Sequence, residues 1–214
     1  MSVALVSALI IGVGASPGLS ASFKVDPAQS SLVLQLFKDG VAARLGHDHV
    51  VHASVFSGTV AYDPRNPEAS SIQVAVEVGS LIADDPGTRR KFGLAGEPST
   101  SDRAEIDKAM KADGQLAAAR FPSMTFTSTA IATQPDGRFL VTGRLTIRGV
   151  TNELKFPAQM SVDGAQLRGR AQLKFKQSSF GYPPYSALLG AIKNKDEVIL
   201  HIDLVAKAHA AKAP

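Results

Sequence analysis

The 214-residue chain predicts an all-β fold: a sandwich or a closed barrel of about eight antiparallel strands, with one short helix around residues 101–116. Three observations carry that expectation. Apolar and polar residues alternate in run after run, the period of a strand with one dry and one wet face. Clusters of Pro, Gly, Asp and Asn separate those runs and signal turns. Apolar residues make up 44% and charged residues 20% of a chain of one-domain length, so a core is available and general disorder is excluded.

In chain order, residues 1–21 hold no charged side chain and an apolar run from Val3 to Val13, then small residues and Pro17. That layout predicts a secretory signal peptide lacking the usual basic start, cleaved after Ala15 or Ala21. It places the mature protein in the periplasm or outside the cell. The run is too short to span a bilayer comfortably. A single barrel domain is expected over 22–206. Its early strands, 32–37 and 50–62, are irregular. Cleaner alternation follows at Ile72, Val74, Val76 and Val78, over 139–147, at Leu154, Phe156, Ala158 and Met160, over 165–175, and at Val198, Leu200, Ile202 and Leu204.

Turns are expected at 63–67 and at Pro135-Asp136-Gly137, and Asp163-Gly164 joins two runs closely enough to predict a hairpin from Met160 to Leu173. Residues 101–116 break the pattern: Ile106, Ala109 and Met110 have helical spacing, and Asp102 with Glu105 has capping-box spacing. Residues 207–214 read as a frayed tail. Closing the sheet into a barrel removes exposed edges, and eight strands leave an interior for packed side chains or for one ligand. Small residues on inward positions (Gly143, Ala158, Gly169, Ala171) either leave such room or let the strands bend.

Composition narrows function more than it names it. With no cysteine there is no disulfide, thiolate metal site or lipoprotein anchor. The formal charge of +4 is spread thinly, and there is no Trp and little Tyr, which argues against nucleic acid as a partner. A weak positive field suits an anionic membrane surface or acidic lipid head group, as well as plain solubility. No Gly-x-Ser-x-Gly elbow and no phosphate-cradling glycine loop is present, so catalysis is not expected. The paired carboxylates Asp84-Asp85 and Asp196-Glu197 sit beside turn-like residues and read as solvated loop charges.

The densest polar cluster is Gly46-His47-Asp48-His49-Val50-Val51-His52. On an extended chain His47 and His49 share a face and could ligate Zn²⁺ or Cu²⁺ with help from elsewhere. His201 and His209 are poor candidates for that help. The alternative is a polar strand end with locally bonded imidazoles. The segment Phe180-Gly181-Tyr182-Pro183-Pro184-Tyr185 either lines a pocket mouth or packs as a rigid loop on the barrel end.

Together these pieces resemble the YceI-like family of polyisoprenoid-binding proteins. The resemblance rests on Phe23-Lys24-Val25-Asp26 with Ser30-Ser31, on Gly46-His47-Asp48-His49, and on the run from Phe121 to Ser128. It is strongest over Thr142-Gly143-Arg144-Leu145-Thr146-Ile147-Arg148-Gly149-Val150-Thr151, and ends with Lys195-Asp196-Glu197-Val198. It implies a lipocalin-like closed eight-stranded antiparallel barrel whose interior takes a long isoprenoid chain or quinone tail, exported, with no cofactor required and no chemistry by the protein. The common family form carries an Arg-Asp pair and a longer apolar helix; here Arg103-Ala104-Glu105-Ile106 stands there, and the Gly-His-Asp-His segment marks a variant branch. Strand parity and position nominate Leu34, Leu36, His47, His49, Phe56, Phe126, Phe139, Phe180, Tyr182 and Tyr185 as ligand contacts, with His47, His49 and Tyr185 at the mouth. Oligomeric state, monomer or homodimer, stays open.

Overall fold

The computed structural model describes residues 21–209, so the expected signal peptide lies outside the described residues except for Ala21. The first strands are β1 (Ala21–Val25), β2 (Ser31–Leu36), β3 (Lys38–Asp39), β4 (His49–Ala53), β5 (Phe56–Tyr62), β6 (Ser71–Glu77) and β7 (Leu81–Ala83). Two helices follow, α1 (Pro86–Lys91) and α2 (Thr100–Lys111). The second half is β8 (Ser123–Thr133), β9 (Phe139–Ile147), β10 (Val150–Asp163), β11 (Gln166–Lys176), β12 (Ser186–Ala187), β13 (Ile192–Asn194) and β14 (Glu197–Ala208).

Eight of these strands close into an antiparallel barrel in the order β1-β5-β6-β8-β9-β10-β11-β14, the last pairing back with β1. The strand β14 is the seam. It pairs along its length with β11, and on its other edge with β1 at one end and β2 at the other. From β2 the sheet continues to β4 and β7, a flap that extends the wall beyond the closed ring. The alternation read from the sequence fixes which side chains point inward: Leu167, Gly169, Ala171, Leu173 and Phe175 of β11 all face the interior. The hairpin from Met160 to Leu173 forms as expected. A tighter one joins β9 to β10 through Arg148 and Gly149 at φ +52 and +75, the paired left-handed geometry that matches strand twist. A bulge in β8 between Ser128 and Ala130 breaks the ladder to β9, and the Ser128 hydroxyl accepts the N–H of Ile72 at 2.8 Å.

The helical region differs from expectation in three ways. The N-cap of α2 is Ser99, whose hydroxyl accepts the Asp102 N–H while the Asp102 carboxylate accepts the Ser99 N–H, so the capping box lies three residues earlier than the Asp102–Glu105 pair. The helix ends at Lys111, because Ala112 turns extended and Asp113-Gly114 follows. A second helix, α1, starts on an Asp85 N-cap with Pro86 at its first position. It packs on the outside of β4, and Phe92 just beyond it meets the His201 ring edge-on at 4.8 Å. The expected tail is also shorter: Lys207 and Ala208 belong to β14 and pair with Lys24 and Phe23, while 210–214 lie outside the described residues. Among the described residues no helix is long and apolar enough to cross a membrane.

One end of the barrel is solid. Phe23, Tyr62, Ile131 and Phe139 are buried there, with the Tyr62 and Phe139 rings edge-to-face at 6.3 Å. The other end is hollow.

Candidate ligand site

Above that floor lies a cavity of about 540 Å³, within the range of roughly 300–1,000 Å³ typical of small-molecule sites. Its wall is built from the inward positions of the alternating strands, among them Leu34, Val74, Leu145, Leu154, Phe156 and Ile202. Such a surface offers apolar burial and almost no hydrogen bonding. The helix α2 roofs it with Ile106, Ala109 and Met110. Room comes partly from small residues. The Phe126 ring lies over Gly143, where a Cβ would sit 2.4 Å from Phe126 Cζ and 2.7 Å from the Thr127 carbonyl oxygen.

Polar groups gather at the mouth: His47, His49, Asp102, Glu105, Tyr185 and Asn194. The rings of His47 and His49 lie 4.5 Å apart, His47 just ahead of β4 and His49 at its first position. Beneath them is a buried ion network. Asp84, read from sequence as a solvated loop charge, is fully buried, because β7 pairs with β4 and carries it under His49. Its Oδ2 lies 2.5 Å from His49 Nδ1, and its Oδ1 accepts from Arg89 Nη1 at 2.7 Å and from the Val50 N–H at 3.2 Å. The buried guanidinium of Arg89 also donates to the carbonyls of Asp48, Ala95 and Gly96. Burial pushes the Asp84 carboxyl up, but its hydrogen bonds to His49 and Arg89 outweigh that and hold it below the usual carboxylate range. At the rim, desolvation and the neighbouring His49 lower the His47 pKa. Burial raises the Tyr182 hydroxyl to about 12, so it stays a neutral donor.

Donor atoms of His47, His49 and Asp84 lie within 4.8 Å of one another, a grouping that could hold a metal ion. With both Asp84 oxygens already accepting, its stronger role is to orient His49 by holding Nδ1, which leaves Nε2 for a ligand.

Of the ten nominated contacts, the structure places Leu34, Leu36, His47, His49, Phe126, Tyr182 and Tyr185 on the cavity wall or rim. It does not place Phe56, Phe139 or Phe180 there. Phe139 belongs to the floor, Phe56 is buried in the core cluster, and Phe180 backs Phe175 edge-on at 5.5 Å. Sequence reading missed Asp84 and Arg89; the Asp85-Pro86 helix start, which places Arg89 one turn later, was the signal available for Arg89, and nothing local marked Asp84.

A closed antiparallel barrel with one solid end, an apolar chamber and a polar rim is the architecture of a class of barrels consistent with binding proteins. Within that class the chain belongs to the YceI-like family, whose domain matches residues 23–206. It is 27% identical to protein YceI of Salmonella newport (strain SL254) over 154 residues, 69% of each chain. It is 31% identical to a UPF0312 protein of Shewanella sp. (strain ANA-3) over 123 residues, 57% of this chain and 55% of that one. The chain therefore spans little more than half the length of the Shewanella relatives it matches. Among solved structures it is similar to Burkholderia cenocepacia BcnA, with a TM-score of 0.65 at 22% identity over 86% of this chain and 99% of that one. The Campylobacter jejuni YceI protein superposes with a TM-score of 0.55 at 20% identity, covering 74% and 84%. Both likenesses concern the fold.

Proposed function

We propose that the protein is an exported carrier that holds a long apolar lipid, a polyisoprenoid or quinone-like tail, inside the barrel, and performs no chemistry on it. The observation that carries this reading is the chamber of about 540 Å³ with a largely apolar wall and a cluster of polar groups at its mouth. Burial at about 25 cal/mol per Å² of apolar area offsets the cost of ordering a flexible chain. His47, His49 and Tyr185 supply the few directional contacts a polar head would need at the rim. Native mass spectrometry of protein purified from its exported form, before and after denaturing extraction, tests the idea. A bound prenol or quinone is the expected result; a ligand-free protein from a membrane-rich preparation would count against it.

A second reading, a divalent-cation site on His47 and His49, is favoured by their grouping with Asp84. Calorimetry with Zn²⁺ and Cu²⁺ on the wild type and on the His47→Ala/His49→Ala variant decides it. Equal heats from both proteins would end that reading.

A further inference from the structure

Among the described residues, five of the nine exposed large apolar side chains stand on two neighbouring loops. Val41 and Leu189 are fully exposed, and Leu45, Leu188 and Tyr185 are 72%, 68% and 46% exposed. The other four (Val55, Ile82, Val150, Val162) are scattered over the barrel, as is ordinary for a soluble surface.

The two loops form one platform. Residues 40–46 and 185–191 are tied by the small sheet of β12, β13 and β3, and by the Ala42 N–H donating to the Ala191 carbonyl at 2.9 Å. A Cβ on Gly40 would stand 2.5 Å from that same carbonyl oxygen, so the close approach requires glycine. Leu188, Leu189 and Gly190 follow one another in left-handed conformation at φ +49, +54 and +91. L-residues adopt that conformation at a cost. Here it accompanies the outward display of two leucines.

Basic residues outnumber acidic ones along these two segments, while α2 adds Asp102 and Glu105 at the adjoining mouth. Segments 38–48 and 185–195 carry four cations (Lys38, Arg44, Lys193, Lys195) against two carboxylates (Asp39, Asp48). Arg44, Lys193 and Lys195 are exposed, and Asp39 is engaged by Lys193 at 3.6 Å. The platform adjoins the cavity mouth, since Tyr185, Asn194, Leu36 and His47 line the chamber.

We infer that this platform docks on an anionic lipid bilayer, its apolar tips entering the interface and its cations meeting the head groups. A second copy of the chain fits less well. A standard protein interface needs about 800 Å² from each partner, and five side chains on two short loops do not supply it. The inference rests on surface residues alone, so it can fail while the carrier reading stands.

Co-sedimentation with vesicles tests it, using phosphatidylcholine alone and phosphatidylcholine mixed with phosphatidylglycerol. Wild-type protein is expected on the anionic vesicles, and less so at 1 M salt, where screening shortens from about 10 Å to about 3 Å. The Leu188→Ser/Leu189→Ser and Val41→Ser/Leu45→Ser variants should each bind at least about tenfold more weakly, since burying even one such side chain is worth about that factor or more. Circular dichroism checks that both remain folded. Failure of wild-type protein to bind anionic vesicles would overturn the proposal, as would undiminished binding by both variants. A wild-type dimer that these substitutions dissolve would assign the platform to self-association instead.

Discussion

The side chains at the mouth are held by ones that cannot be seen from it. His47 and His49 are conspicuous in the sequence because they are neighbours, but Asp84 is 35 positions from His49 and has no local signature. Only the pairing of β4 with β7 brings it beneath the ring, which is why it reads as a loop charge from sequence and is a buried anion in the fold. Arg89 neutralises that anion. Arg89→Ala should therefore cost about 3–5 kcal/mol in urea unfolding, because it leaves a buried carboxylate without its cation. The pH dependence has a definite sign. Because Asp84 titrates lower when folded than when unfolded, its stabilisation is complete above the unfolded carboxylate value near 4 and is lost as pH falls through the lower folded value. Urea midpoints measured from pH 5 to pH 2 should fall steeply in wild-type protein and less steeply in Asp84→Asn.

At the level of elements, strand parity was the most legible property of the chain. The inward set of β11 and the hairpin into it follow directly from the alternation, since an error of one residue would turn every side chain to the wrong face. Helix limits were less legible. The Ser99 cap precedes the apolar spacing that advertises α2, and α1 is too short to show a periodic face. Gly143 was visible as a small inward residue on β9, but its need was not, because Phe126 approaches it from β8 across the ladder. Gly143→Ala would drive a Cβ into that ring and into the Thr127 carbonyl. It should cost about 1–3 kcal/mol and push the ring toward the chamber. Thermal unfolding would report the first effect, and a lower saturation by a fluorescent apolar probe the second.

For the molecule as a whole, closure and strand number could be anticipated, whereas depth along the barrel could not. Parity tells which side of the sheet a residue faces; it does not tell how far from the mouth it lies. Phe126 and Phe139 both point inward, yet one lines the chamber and the other seals the floor. The seam has a further consequence. The strand β14 meets β1 through pairs such as Val25 with Ala206, contacts that join nearly opposite ends of the described chain. Bringing such distant segments together is entropically slow, and folds dominated by non-local strand pairing are slow folders. Until β14 arrives, β11, β1 and β2 all lack a neighbour, so no earlier stretch of the chain can finish the cylinder by itself. The last strand is therefore the one that completes the container: a chain cut before β14 leaves those three edges open and encloses no chamber.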